Sequence, residues 1–457
     1  MMDVFSAMQT AVSGLQAQAF SLNNISGNIA NAQTTGYRRI DTTFADLLAE
    51  QPNDRQTSGS VAASSQFTNT LQGNIASTGI TTNMALNGGG FFVVRTPSAT
   101  SGGQPSFTSQ DLYTRRGDFA VDKDGYLVNG AGSYLVGQSL DPRTGQATGN
   151  GVIRIGNQAL PAQATTTISY AANLPSTPGT TGPAVLGALA GGDVRVMSGT
   201  SASPATVAAS DSGSFLASSL SGGSLTAYSA AGGPVNLQLR WAKVAAADSA
   251  AGTGDTWNLF YAKQNGTDST ATAWTNAGTA FTFNASGQLT TPAGGSATIP
   301  NVTVDGVPLG TLTLNTASGG LTQYGAAGGQ VTTNTLQQNG SASGTLRSLA
   351  VTSDGRVTGT YSNGTTATLA QVGIARFNAP DALKAESLGN YAQTVESGGP
   401  VSGLAGTTVV GGNVEQSNTD TANEFSKLII TQQAYSANTR VMSTAQQMMS
   451  DLVNIIR

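Results

Sequence analysis

The chain of 457 residues contains no cysteine and no histidine. Thiolate and imidazole metal ligands are thereby excluded, as are Ser-His and Cys-His catalytic couples, and no side chain titrates near neutrality unless its surroundings shift it. No disulfide supports the fold, so stability in an extracellular setting rests on packing alone. Charge is scarce: Asp, Glu, Lys and Arg make up 10% of the chain, against about 25% in an average soluble domain. With 24 acidic and 20 basic residues the net charge is −4. No basic stripe is available to neutralise phosphates, which argues against nucleic acid as a partner. No segment approaches the roughly 18 apolar residues of a membrane span, so no membrane insertion is expected. A cleavable secretory signal is not expected either, since the first basic residue is Arg38 and no apolar core lies near the start. What the chain has in abundance is glycine, at 58 residues, with Ser, Thr and Ala, a composition of strands and turns.

The two ends depart from that composition. Phe5, Met8, Val12, Leu15, Ala19, Leu22 and Ile29 recur at spacings of three and four, missing a beat at Ser26, and predict a helix with one apolar seam. At the other end Leu428, Tyr435, Met442, Met449 and Ile456 recur every seven residues, with Ala445 and Leu452 three residues after Met442 and Met449. Ser417 and Asp420 resemble a capping box that starts this second helix. Between Met1 and Tyr37 the only formal side-chain charge is Asp3. A solvated helix ordinarily carries charge on its outer face, so this one is suited to burial against neighbouring copies. The fold class expected is mainly β with long terminal α-helices, the helices pairing in a coiled-coil-like inner domain and the β domains built from the middle of the chain.

Thr34-Thr35-Gly36-Tyr37 supplies a helix stop, with Gly36 suited to the left-handed residue after a helix. Phe91–Arg95 reads as a strand, and Phe119–Val128 as a hairpin turning at Asp124-Gly125. From about 150 to 340 the composition shifts further toward Ala, Gly, Ser and Thr. There Val235, Leu237, Leu239 and Trp241 alternate with Asn236, Gln238 and Arg240, and similar strands recur around Trp257, Phe281, Val302 and Leu312, favouring a sandwich or barrel-like domain. Near Gly344 the earlier character returns, so this region reads as an insertion into a domain built from both flanks.

No catalytic constellation is found, and no cofactor or metal is expected. Asp122-Lys123-Asp124-Gly125 resembles part of a calcium loop, but the twelfth position is Ser133 rather than an acidic ligand, so a turn is the better reading. Gly88-Gly89-Gly90 precedes a strand, not a helix, and reads as a tight turn rather than a phosphate cradle. Arg38-Arg39 and Arg115-Arg116 stand as isolated basic pairs.

Asn28-Ile29-Ala30-Asn31-Ala32-Gln33-Thr34-Thr35-Gly36-Tyr37-Arg38 resembles the signature N-I-A-N-x-N-T-x-G-Y-K of bacterial flagellar rod and hook proteins. Glu415-Gln416-Ser417-Asn418-Thr419-Asp420, followed by Gln433–Asn438, resembles its C-terminal counterpart, and Leu86–Val93, Tyr113–Phe119 and Tyr361–Gly364 also resemble family segments. Gln33, Arg38 and Thr419 depart from the commoner Asn, Lys and Val. The signature positions singled out are Asn28, Asn31, Thr34, Gly36, Tyr37, Ser417, Asn418 and Asp420, and the polymerisation seam is Phe5, Met8, Val12, Leu15, Leu22, Ile29, Leu428, Tyr435, Met442, Met449, Leu452 and Ile456.

The resemblance implies a division into 1–33 and 413–457 as an inner helical polymerisation domain, 34–75 and 396–412 as extended linkers, 76–150 and 341–395 as a middle β domain, and 151–340 as an inserted outer β domain. The large insertion favours the hook branch over the distal rod branch. It implies a helical homopolymer that encloses an export channel, bends as a universal joint and passes motor torque to the filament. The partners implied are further copies of the chain, the distal rod protein, the hook cap, the hook-filament junction protein and the flagellar type III export apparatus. The location implied is extracellular, with export that leaves no cleaved signal. The alternatives are a distal rod subunit, a secreted β-rich adhesin and, least, a two-carboxylate glycosidase.

Overall fold

The computed structural model describes residues 2–47, 60–101, 104–156, 159–182, 206–248, 254–263 and 271–456. The chain divides into two compact units, one of Met1–Gln158, Leu346–Tyr361 and Thr366–Arg457, the other of Ala159–Thr345 and Ser362–Thr365.

The first unit holds the two long helices, Met2–Ala30 and Thr421–Ile456. The second helix starts later than the capping-box reading has it. Asp420 is itself the cap, its Oδ1 accepting the N–H of Ala422 at 2.9 Å, while the Ser417 hydroxyl is occupied one step earlier by the N–H of Thr419. A carboxylate cap also complements the helix dipole, which a serine does not. The stretch 34–75, expected as a linker, contains an antiparallel hairpin of Ile40–Leu47 and Ser60–Phe67, with residues 48–59 outside the described residues. The hairpin lies along the first helix, where Asn24 Nδ2 donates to Thr42 Oγ1 at 2.9 Å and Ser13 Oγ accepts the N–H of Val61 at 3.3 Å. Two strands alone are marginal in water, and the helix surface supplies the packing they lack.

The main sheet of this unit runs in the order Leu346–Val351, Arg356–Tyr361, Thr366–Val372, Tyr134–Leu140, Phe91–Arg95, Leu112–Thr114, Asn390–Ala392 and Lys384–Ala385. Three strands of the front flank sit between three and two strands of the back flank, so neither flank completes the sheet alone. Strand alternation explains its two cores: Phe92 and Val94 pack with Phe119, Leu127, Leu135 and Val372, while neighbouring Phe91 packs with Tyr113, Phe377 and Tyr391. Asp122–Gly125 forms a turn. Asp122 Oδ1 accepts the N–H of Asp124 and of Tyr126, which leaves that oxygen committed to the backbone.

The second unit is built from two sheets, of five and six strands among the described residues, that share one apolar core. Pro234–Ala245 presents Val235, Leu237, Leu239 and Trp241 to that core, as its alternation requires. Thr167–Pro175 runs parallel to Val307–Asn315 and to Leu321–Tyr324, a pairing that needs long crossover connections, which the intervening six-stranded sheet provides. The core is pinned by one polar chain: buried Trp241 Nε1 donates to the Tyr170 hydroxyl at 2.9 Å, and that hydroxyl donates to the Gly222 carbonyl at 2.9 Å. Burial pushes the Tyr170 hydroxyl up from its ordinary pKa, keeping it a proton donor.

All three tryptophans, at 241, 257 and 274, lie in the second unit, so tryptophan fluorescence reports on that unit alone. Tyr170→Phe leaves the Trp241 N–H buried without a partner and is expected to lower the stability of the fluorescence-detected unfolding transition by about 1–3 kcal/mol. An unchanged urea midpoint would show that the chain Trp241–Tyr170–Gly222 contributes nothing.

Candidate polymerisation surface

The two terminal helices lie against each other through small residues. The most buried positions of the first are Ala11, Ala17, Ser21, Ile25 and Asn28. Gly14 sits in the same row, and a Cβ there would stand 2.9 Å from Asn438 Nδ2 of the second helix. Interaxial distance follows the size of the side chains at the contact, so this row lets the helices approach closely. On the second helix Glu424, Thr431 and Ala445 are buried, with Leu428, Asn438, Met442 and Met449 half-buried. These positions follow the alternating four and three spacing of a seam, except at Tyr435, which is exposed.

The residues expected in the first helix's seam sit beside the buried row, not in it. Phe5 and Val12 are 53% and 38% exposed, Ala19 is exposed, and Met8, Leu15, Leu22 and Ile29 are half-buried. A row one position along the sequence faces the partner helix because the smaller residues there allow the closer contact. The larger residues are left facing outward. The side chains of Leu452 and Ile456 lie outside the described residues. Further exposed apolar residues, Phe20, Phe425, Ile429, Ile430, Val441 and Met448, escaped the sequence reading because they fall off the heptad. Their signal was the shortage of charge: Thr421–Ile456 carries only Glu424, Lys427, Arg440 and Asp451.

At the base of the helices a polar network fixes their register. The Asn28 amide donates to Glu424 Oε2 at 3.0 Å and to the Ile40 carbonyl at 2.9 Å, while its oxygen accepts the Tyr37 hydroxyl at 3.1 Å and the N–H of Ile40 at 2.9 Å. Glu424 also accepts Lys427 at 3.0 Å, and Lys427 reaches Asp41 at 2.8 Å. Burial, and then the Glu424 carboxylate, pushes the Tyr37 hydroxyl up in pKa, so it stays a donor. Asn418 works similarly, its oxygen accepting the N–H of Arg39 at 2.8 Å and its amide donating to the Leu71 carbonyl at 3.1 Å. Asn31 and Thr34 close the end of the first helix, Asn31 Nδ2 donating to the Gly27 carbonyl and Thr34 Oγ1 to Asn31 Oδ1.

A second, fully buried cluster joins this base to the sheet. Glu415 forms an ion pair with Arg38 Nη2 at 2.7 Å and accepts Arg115 Nη1 at 3.2 Å, with every side chain at most 3% exposed. Its Oε1 also accepts the N–H of Gly73 at 2.8 Å, and its carbonyl accepts the N–H of Gly36 at 2.7 Å. Gly36 is needed twice over: its φ is +68°, and a Cβ would approach the Arg115 carbonyl carbon to 2.7 Å. Desolvation lowers the Arg115 pKa to about 10, an effect that the Glu415 charge opposes. The two basic pairs that look isolated in the sequence each send one arginine to this carboxylate.

The family model "Flagella basal body rod protein" matches residues 8–38, "Flagellar hook protein FlgE/F/G D1 domain" 85–170, "Flagellar basal body protein FlaE D2 domain" 197–341 and "Flagellar basal body rod FlgEFG protein C-terminal" 410–455. The chain is similar to the flagellar hook protein FlgE of Brucella abortus, 31% identical over the full length of both chains. It is 29% identical to that of Salmonella typhimurium over 97% of this chain and 98% of the relative. The crystal structure of Helicobacter pylori flagellar hook protein FlgE2 shares the fold, with a TM-score of 0.50 at 15% identity, over 74% of this chain and 98% of that one.

Glu415→Ala removes the common partner of two buried guanidinium groups and is expected to destabilise the first unit by about 3–5 kcal/mol. Replacing the whole cluster, by Arg38→Met, Arg115→Met and Glu415→Leu together, is expected to cost much less, because no buried charge is left unpaired. Thermal unfolding by circular dichroism with amide exchange at Gly36 and Gly73 checks both. Equal losses in the two variants would contradict the role given to the charge.

Proposed function

The chain belongs to the flagellar hook protein family, and we propose that it is the structural subunit of a bacterial flagellar hook, polymerising through its terminal helices into a curved tube that carries torque and encloses the export channel. One observation carries the mechanism: two helices that already share a close seam of small residues still expose Phe5, Val12, Phe20, Phe425, Ile429, Tyr435, Val441 and Met448 on a nearly uncharged surface. A lone helix pair in water gains nothing from such residues, whereas side-by-side copies bury them. The coiled-coil-like pairing within one chain thus uses one row, and contact between chains uses the row Phe5, Met8, Val12, Leu15, Leu22 and Ile29 together with the outward faces of the second helix.

In this reading the helices form the inner tube, the sheet built from both flanks the middle layer, and the inserted unit the outer layer. Bending calls for a rigid inner wall and outer contacts that re-form, which the scarcity of charge and small polar surface of the inserted unit would allow. Neighbours along the axis would be the distal rod protein below and the hook cap and then the hook-filament junction protein above, with delivery through the flagellar type III export apparatus. The match of residues 197–341 to a D2 domain model, together with hook relatives over the full length, supports a hook subunit over a distal rod subunit.

Leu15→Asp and Val441→Asp are each expected to raise the concentration needed for polymerisation by more than about 100-fold, since assembly would bury an unpaired carboxylate. Tryptophan fluorescence of the second unit should be unchanged. Electron microscopy of material sheared from cells checks the outcome: curved hooks of normal length from either variant would refute the helix-mediated contact.

A further inference from the structure

The first unit carries an apolar, acidic point at one end of its main sheet and a basic crevice at the other, and neither has an occupant within the described chain. The point is the turn Thr394–Gly398. Thr394 and Ser397 tie it reciprocally, each N–H donating to the other's hydroxyl at 3.0 Å, and Thr394 Oγ1 also donates to the Ala382 carbonyl at 2.8 Å. Ser397 is fully buried, yet Val395 between them is 94% exposed. A turn held this firmly does not fold its valine back onto the protein, and the cost of ordering it on contact is already met. Glu396 beside it is exposed and has no ion pair among the described residues. Leu388, 61% exposed, stands just before the strand Asn390–Ala392 that leads into the turn, in a left-handed conformation, φ +68°, which disfavours leucine.

The other end of the sheet is the strand Leu346–Val351. Beside it opens a crevice of about 510 Å³ whose lining includes Val121, Lys123, Arg154, Leu346 and Arg347. Against the carboxylates Asp122 and Asp124, the latter paired with Lys123 at 2.7 Å, stand three cations, Lys123, Arg154 and Arg347. Arg347 is exposed and has no ion pair among the described residues. The surplus charge is therefore positive, opposite to that of the turn.

We propose that the turn Thr394–Gly398 of one copy seats in the crevice beside Leu346–Val351 of the next, Val395 entering the apolar part and Glu396 meeting Arg347. Two unlike surfaces at opposite ends of one sheet make a head-to-tail contact, which propagates into an open helical polymer instead of closing a dimer. The charges select the register and exclude the inverted approach, which would set the acidic turns of two copies against each other. This assigns a contact within the polymer and rests on the subunit reading above.

Because the chain has no native cysteine, Val395→Cys combined with Ser348→Cys tests the contact in the assembled full-length protein. Oxidation of the doubly substituted polymer should give a ladder of covalent multimers on a non-reducing gel, and either single substitution should not. Glu396→Arg and Arg347→Glu should each raise the polymerisation threshold about tenfold, and together should restore it. A double-cysteine polymer that runs as monomer, or a charge swap no better than its single components, would overturn the contact while leaving the subunit reading intact. Failure of the unsubstituted chain to polymerise at all would overturn both.

Discussion

Everything in the first unit hangs from the buried carboxylate of Glu415. It is the point at which the exit of the first helix, the segment at Gly73, the strand end at Arg115 and the approach to the second helix come together. An apolar residue of the same size would bury as much surface, but it would not specify which segments meet. Two guanidinium groups and the Gly73 N–H leave the carboxylate one satisfied arrangement, and any slip of a segment leaves a charge stranded in a low-dielectric interior. The helices are thereby held to the sheet by directional bonds, while the helices themselves meet only through small, weakly apolar side chains.

How much of this was legible in the sequence depended on whether the signal was periodic. The strands at Phe91–Arg95, Pro234–Ala245 and Thr256–Ala262 and both terminal helices follow from alternation or three-four spacing, and their existence was readable. The face of the first helix was not. Hydrophobic periodicity picks out the largest residues, whereas the intramolecular contact uses Ala11, Gly14, Ala17 and Ser21, whose virtue is that they are small. Spacing marks both rows with the same period, and only close approach in three dimensions separates them. The strands Ile40–Leu47 and Ser60–Phe67 look like a linker in the sequence because an isolated ribbon has little apolar pattern of its own; they are ordered by hydrogen bonds to a helix that precedes them.

The buried charges escape periodicity for the opposite reason. Arg38, Arg115 and Glu415 are distant in sequence, at separations of 300 or more between the carboxylate and either arginine, and no local pattern links them. The motifs that contain them are recognisable as motifs, yet the arginine pairs stand isolated and nothing local joins either one to Glu415. Where charge is scarce, burying a triad needs a strong structural reason, and here that reason is the joining of segments from both flanks.

The same scarcity separates the contact within the first unit from the contact proposed between copies. Within the chain, register is set by Glu415 and by the Asn28–Glu424–Lys427–Asp41 network, all near the base of the helices. Along the remainder of the helix pair, from Ile429 to Met448 on one side and from Phe20 to Phe5 on the other, the exposed surface is apolar or neutral and almost free of such locks. Packing of that kind falls off smoothly with displacement, since dispersion and apolar burial are not directional. A helix pair fixed firmly at its base and smooth along its length has one defined position in its own subunit; in the proposed polymer it would tolerate small sliding against its neighbours, the combination a tube needs if it is to bend without coming apart.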